Sequence, residues 1–385
     1  MKPEQFSNPS GQLVQAQQGD AAYWAFVPAP LPPAVTLDAA LIRALSDADR
    51  ALGELAGLGR AIPNPHLLIG PFVRREAVLS SRIEGTHADI ADLYAYEAGA
   101  MQARGSDVRE VSNYVRALNY GLERMQTLPA SLRLIGELHA HLMEDVRGGT
   151  AQPGQFRRVQ NYIGRPGCTV ETADFVPPPP PQMAHALEDL EAYLHAEGDH
   201  PPLLRLAFIH YQFETIHPFL DGNGRIGRLL VPLLLVYWDL LPLPLLYLSA
   251  FFEKRREDYY DLLLAVSQRS AWGEWLLFFL RGVEEQARDA IVRARQLQDL
   301  QMAWRERLQS RRYTSAALLK LVDELFFAPT LTVPQVQKIL GVTHRAANQT
   351  VLRLIDEGIL AAVPGRERNR QFVAQEILNI AGGEK

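Results

Sequence analysis

At 385 residues, 47% of them apolar, the chain has material for two or three domains with sizeable cores. A net charge of −5 excludes a molecule that acts as a whole as an electrostatic trap for nucleic acid. The single cysteine, Cys168, excludes an intrachain disulfide and fits a reducing cytoplasm, the expected location. Met1–Phe6 lacks the apolar core of a signal peptide. The longest apolar run, Leu229–Trp238, is soon broken by Asp239, Pro242 and Pro244, so it reads as a core helix and not a membrane span.

Residues 1 to about 36 read as an extended arm, polar and then proline-bearing, with a short strand at Tyr23–Val27. Helices are expected at Asp38–Leu58 and Pro65–Ile83. The second ends in Leu79-Ser80-Ser81-Arg82-Ile83-Glu84-Gly85. Ser80 and Glu84 are four apart and share a face, and Gly85 is a natural stop. The helix dipole disfavours a carboxylate at this end, so Glu84 wants a cationic partner elsewhere. Three more helices follow at about Ala88–Met101, Asp107–Met125 and Ala130–Glu144, the last striped by Leu132, Ile135, Leu138 and Leu142. Phe156–Gly164 reads as a strand, with a second extended piece ending at Phe175-Val176. Pro177–Pro181 is a stiff spacer into an amphipathic helix at Met183–His195. A helix over Leu203–Ile216 then leads to the chemistry.

The sequence His217-Pro-Phe-Leu-Asp221-Gly222-Asn223-Gly224-Arg225-Ile-Gly-Arg228 puts a titratable base, a carboxylate, an amide, three glycines and two arginines into twelve residues. It reads as a glycine-rich loop opening the buried Leu229–Trp238 helix. Unpaired N–H groups and the helix dipole favour an anion there, and glycine lets a ligand approach the backbone. Arg225 and Arg228, three apart, could grip successive phosphates. Asp221 suits Mg²⁺ shared with phosphate oxygens, and His217 suits removal of an alcohol proton. His210, Glu214 and His217 raise a metal-hydrolase alternative, but the pattern is not HExxH and no third ligand is evident. His210 reads better as a packed support.

Downstream, Tyr259 and Tyr260 start or cross a helix, Trp272 and Trp275 close the core, and Val283–Arg312 is a long charged helix. From residue 331 a short helix, the Gly341 turn and a Thr343-capped second helix have helix-turn-helix spacing. Ile359–Val363, a Pro364-Gly365 turn and Gln371–Val373 read as a wing, so the tail resembles a winged helix. DNA would meet Arg345, Asn348 and Gln349 at bases and Arg366, Arg368 and Arg370 at phosphates. From residue 313 on, however, eight Lys/Arg face seven Asp/Glu. That near-neutral balance leaves protein docking or dimerisation at least as well supported as DNA binding.

HPFLDGNGRIGR is similar to the Fic-domain motif HPFx(D/E)GNGRxxR at every fixed position, and the resemblance runs from Ser80 to about Ala287. It implies an all-α Fic-type core with a small β-hairpin flap, a protein AMP transferase using ATP and Mg²⁺. In that family's terms His217 is the base for the target hydroxyl and Asp221 holds Mg²⁺. Gly222, Asn223 and Gly224 hold the α-phosphate region, and Arg225 and Arg228 the β- and γ-phosphates. Tyr259 and Tyr260 lie near the nucleotide base, with core tyrosine the competing reading. Ser80, Glu84 and Gly85 match the family's inhibitory motif (S/T)xxxE(G/N), in which the Glu pairs with the second arginine. The flap, with Asn161, Ile163 and Gly164, aligns a target chain by strand addition. The implied division is 1–125 with the inhibitory helix, 126–311 the catalytic core and connecting helix, and 312–385 the winged helix. The partners implied are ATP and a target protein, with a homodimer and DNA as further expectations and no membrane. A nucleotide-sensing DNA-binding regulator, or removal of AMP by the same site, stands as the alternative.

Overall fold

The computed structural model describes all residues except 7–8, 19–20, 62–65, 100–106, 147–151, 166, 312–314, 364–369 and 383–385. The architecture is mostly helical with two small antiparallel sheets. The N-terminal arm is more structured than expected: β1 (Gly11–Gln18) and β2 (Ala21–Pro28) pair along their whole length, Gly11 with Pro28 and Gln18 with Ala21. On β2, Tyr23 and Ala25 pack against Ala173 and Val176, and Phe26 against Phe6 and Phe175. The hairpin thus seals the flap region; the β2 sequence already carried the alternation, but its polar partner Gly11–Gln18 did not announce a strand.

Helices α1 (Ala39–Ala61), α2 (His66–Ile83), α3 (Ile90–Glu97), α4 (Asp107–Arg124) and α5 (Leu132–Leu142) follow. Asp89 and Asp92 form a capping box that starts α3, and Ser131 caps α5. Next come α6 (Pro180–His195), α7 (Pro202–Ile216) and α8 (Asn223–Tyr237). The last two form the centre. Nearly every residue of both is buried, as helices apolar all round must be. Helix α8 begins at Asn223, six residues before the apolar run, so Gly224, Arg225 and Gly227 are helical and only 217–222 form the loop.

Beyond them, α9 (Ser249–Lys254) and α10 (Arg256–Arg269) lead into α11, one helix over Trp272–Gln309 that fuses the expected core segment with the charged one. Its N-terminal half buries Trp272, Trp275 and Phe279, and α1 lies along it. The remainder runs α12 (Ala316–Phe327), β3 (Thr330–Thr332), α13 (Val333–Leu340), α14 (His344–Asp356), β4 (Ala361–Ala362), β5 (Gln371–Val373) and α15 (Gln375–Gly382). Its sheet has the order β3-β5-β4, all antiparallel. Arg345 and Gln349 stand exposed on α14, and Asn348 is half-buried. Arg370 is exposed beside Phe372; Arg366 and Arg368 lie outside the described residues. This C-terminal unit packs on α2 and α11 through α12 and α15. No helix among the described residues is long and apolar enough to cross a membrane.

Candidate active site

The loop 217–222 turns the chain from α7 into α8, and its shape is held from several directions. His217 ends α7 in the left-handed region, φ 49° and ψ 60°. A side chain there stores strain on the order of 1–3 kcal/mol, which neighbours must hold down. They do: Arg157 Nε donates to the His217 carbonyl at 2.9 Å and Asn161 Nδ2 at 3.2 Å. Asn161 Nδ2 also reaches the Phe219 carbonyl at 2.9 Å. Asn223 grips the same residue, its Oδ1 accepting from Phe219 N and its Nδ2 donating to Phe219 O, both at 2.8 Å. His139 stacks on the Phe219 ring, centroids 3.7 Å apart, and its Nε2 donates to the Asp221 carbonyl at 3.0 Å.

Two side chains are therefore placed differently from expectation. Asn223 spends both ends of its amide on Phe219, so it shapes the loop, and any anion meets backbone N–H groups at the start of α8. The Asn161 amide nitrogen is spent on the 217–222 loop, not on an open flap edge. Arg157, buried, donates to four carbonyls, those of Ile216, His217, Val159 and Pro178. Burial lowers its pKa to about 10. Neither Arg157 nor His139 was singled out by the sequence. His139 lies four residues after Ile135 on the apolar stripe of α5, a signal available but unused; Arg157 had none.

The chemistry of His217 follows from its hydrogen bond. Nδ1 lies 3.1 Å from the Glu214 carbonyl, which can only accept, so Nδ1 carries the proton and Nε2 keeps its lone pair. Burial is the main cause holding its pKa down, at about 4. The imidazole is neutral at pH 7 and ready to accept a proton. His210 differs: its Nδ1 donates to the Gly227 carbonyl at 3.2 Å and its Nε2 accepts from the Tyr259 hydroxyl at 2.9 Å. It is a packed support, as expected. With both its ring nitrogens so engaged, His210 has no lone pair left for a metal.

The two arginines are anchored on different elements. Arg225 donates to Glu110 of α4 at 2.9 Å and lies 3.7 Å from Asp221. Arg228 donates through Nε to Ser80 Oγ at 2.9 Å, and through Nη2 to the Ser80 carbonyl at 2.9 Å and to Glu84 Oε1 at 2.6 Å. Burial alone would raise the Glu84 carboxyl, but the Arg228 guanidinium outweighs it and the net shift is downward. Glu84 sits just past the end of α2, with Gly85 at φ +92°, and about a third of its side chain (34%) reaches solvent. The contact needs Gly224: a Cβ there would lie 2.3 Å from Glu84 Oε1. Gly222 starts α8 at φ +80°, where any other residue is strained.

Asp221 is 56% exposed at the loop tip, its Oδ1 taking the Gly222 N–H at 2.6 Å. Tyr260 is 40% exposed, and Glu84 and Arg228 act on it electrostatically; burial raises its pKa to about 12. Tyr259 is fully buried, stacked on Phe252 at 4.4 Å and held by His210, so it is core and faces no ligand. The flap shrinks to one antiparallel bridge, Ile163 with Phe175. Gly164 packs so tightly that a Cβ would lie 2.8 Å from Cys168 Sγ. Val159, Tyr162 and Ile163 are exposed around it.

Residues 42–123 match the Fic/DOC family N-terminal region and residues 129–235 the Fic/DOC family domain. The chain belongs to the Fic/DOC family. The N-terminal match takes in Ser80–Gly85, and the domain match carries the loop from His217 to Arg228. The chain is similar to the protein adenylyltransferase Fic of Drosophila grimshawi, 31% identical over 160 residues, 40% of this chain and 31% of that one. It is similar also to protein adenylyltransferase fic-1 of Caenorhabditis elegans, 30% identical over 165 residues, 40% of this chain and 30% of that one. The match thus spans under a third of these relatives' length. A crystal structure of a Fic family protein from Desulfovibrio desulfuricans G20 shares the fold, with TM-score 0.56 and 21% identity over 89% of this chain and 98% of that one.

Proposed function

We propose that this Fic protein transfers AMP from ATP to a hydroxyl side chain of a protein and is held inactive by Glu84. The observation that carries the reading is the convergence on one helix start: a neutral His217 with Nε2 unprotonated, and Arg228 held by Ser80 and Glu84. In the transfer, a Ser, Thr or Tyr oxygen of the target attacks the α-phosphorus of ATP. Its proton passes to His217 Nε2, and the bond from the α-phosphorus to the bridging oxygen breaks, releasing pyrophosphate. The N–H groups in the first turn of α8 have no intrahelical acceptor and face the phosphates. Arg228 takes the γ-phosphate once Glu84 leaves it, and Arg225 lies one turn earlier beside Asp221. Asp221, exposed at the loop tip, would hold a Mg²⁺, which would supply positive charge against the phosphates. Tyr260 flanks the base, and a target strand pairs beside Ile163 and Gly164.

While Glu84 occupies Arg228, ATP lacks its γ-phosphate grip and its α-phosphate is held off line. A misplacement of about 1 Å can cost on the order of 10²-fold. Labelled-AMP incorporation by the wild type, Glu84→Gly, Arg228→Ala and the double variant tests this. Glu84→Gly should incorporate far more label than the wild type, while Arg228→Ala and the double variant should both stay low. Incorporation by Glu84→Gly no higher than the wild type, with the fold intact by circular dichroism, would falsify the inhibitory role.

The division into an N-terminal region 1–125, a core 126–311 and a winged helix 312–385 belongs to the same proposal. The order α12–β3–α13–α14–β4–β5 with its three-stranded sheet supports the winged helix. Exposed Arg345 and Gln349 on α14 keep open a DNA-binding role coupled to nucleotide. A mobility shift with and without ATP distinguishes it, since a docking module gives no shift at low salt.

A further inference from the structure

The transfer leaves one carboxyl beside the site without a task, that of Glu214. This half-buried residue stands on α7, three before His217, and its carbonyl accepts the His217 Nδ1 proton at 3.1 Å. Its side chain reaches α8. A Cβ on Gly227 would lie 2.1 Å from Glu214 Oε1, so glycine alone leaves room for the carboxyl one residue before Arg228. Oε1 is buried there with no hydrogen-bond partner. Gly224, three residues earlier on the same face of α8, admits Glu84 in the same way. Two glycines thus bring two carboxyls to one arginine.

The two carboxyls are not equivalent. Glu84 accepts from Arg228 Nη2 at 2.6 Å, which outweighs its burial and keeps it ionised. Burial instead pushes the Glu214 carboxyl up to about 7, against the pull of Arg228 and with the help of Glu84. The other ionisable groups around the pair are settled. Tyr259 and Tyr260 of α10 are raised by burial and neutral. His210 and His217 are lowered by burial, to about 3 and about 4, and are neutral as well. Glu76 of α2, which also acts on Arg228, is tied to Ser249 and Tyr114. Arg228 is the cation that Glu84 and Glu214 share.

We infer that Glu214 is a positioning residue, a reserve counter-charge for Arg228 that is engaged when Glu84 leaves and relinquished when phosphate arrives. A buried guanidinium stripped of its carboxylate is costly. Once the Glu84 charge is gone, less opposes ionisation of Glu214 and Arg228 favours its anion, so its proton passes to solvent. The carboxylate then keeps Arg228 neutralised in place. The γ-phosphate brings its own negative charge to Arg228, and Glu214 takes a proton back from solvent. Its part in activation rests on the proposed inhibition by Glu84; the charge exchange itself needs only the arginine and its two carboxyls.

The test uses the full chain with His217→Ala throughout, so that heat of transfer does not contribute. Calorimetry of ATP binding at pH 7, in buffers of different ionisation enthalpy, counts the protons exchanged. The Glu84→Gly protein should take up as much as about one proton per ATP, and adding Glu214→Gln should cut the uptake at least about threefold. A second comparison needs no nucleotide. Glu84→Gly should lower Tm about twice as far in a Glu214→Gln background as in its parent, because no reserve carboxylate remains. Glu214→Met serves in either arm should the Gln variant not fold. Proton uptake unchanged by the loss of Glu214, or Tm losses that simply add, overturns the assignment. A Glu84→Gly protein that does not bind ATP fails the catalytic proposal, and the melting comparison still decides this one.

Discussion

The loop 217–222 and the flap lie side by side and are built on opposite plans. Between His217 and Gly222, main-chain groups are tied by side chains from α5, from α8 and from Arg157 and Asn161 at the flap's inner edge. Among the described residues the flap itself is closed by one bridge and leaves Val159, Tyr162 and Ile163 exposed. A base that must meet a phosphorus in line needs its geometry over-determined, because small displacements are costly. A surface that accepts another chain needs open backbone and exposed apolar side chains.

The sharpest way to probe the braced side is His217→Ala in the Glu84→Gly background. AMP incorporation should fall by about 10²–10⁴-fold with nucleotide affinity nearly kept. Activity within a factor of roughly three of the parent would remove His217 from the chemistry.

Next comes the brace. Arg157→Met strips four carbonyls of their donor, with charge-assisted bonds worth about 1.5–3 kcal/mol each, offset in part by no longer burying a cation. A net loss of about 2 kcal/mol should appear as a lower Tm, and kcat should drop more than KM rises. Unchanged kcat would mean that the loop keeps its shape without Arg157.

The pH profile separates the two regions at smaller amplitude. His217 titrates at about 4, below its ordinary 6.5, so the acid limb of kcat/KM should lie near 4 and the rate stay flat from pH 5 to 7. Glu84 raises that pKa, so Glu84→Gly should move the limb lower still. The Glu84 carboxyl is itself depressed, so its contact with Arg228 is fully formed above the ordinary carboxylate range and is lost as pH falls through the depressed value. The stability gap between wild type and Glu84→Gln should therefore shrink only in acid. An acid limb near 6.5 would place the imidazole in water.

The smallest effect belongs to the flap. Ile163→Gly should raise the KM for a protein target several-fold and leave Tm and self-incorporation nearly unchanged. A large loss of stability would show that the flap is part of the packed core.

Much of the fold was legible because it rests on local pattern. The 3.6-residue periodicity located α1, α2 and α4–α7 to within a few residues, and Gly341 with Thr343 marked the turn between α13 and α14. The start of α8 was misread because glycines are read as loop, whereas buried contacts hold Gly224 and Gly227 in helix. The strand expected at Phe156–Gly164 dissolved to one bridge because Arg157 and Asn161 turn inward to the loop.

By itself the sequence determined which residue types stand together between His217 and Arg228, and that a carboxylate at a helix end needs a cation. Those are properties of short stretches, fixed by spacing and by the dipole. The family motif already pointed to Arg228 as that cation, and the structure pairs the two; only the tertiary structure decided that Asn223 and Asn161 serve the loop, and that Tyr259 is core while Tyr260 is partly exposed. It also decided that α15 packs on α2. Each is a contact between residues far apart in the chain, and such contacts are chosen by how buried helices pack, which no local pattern records.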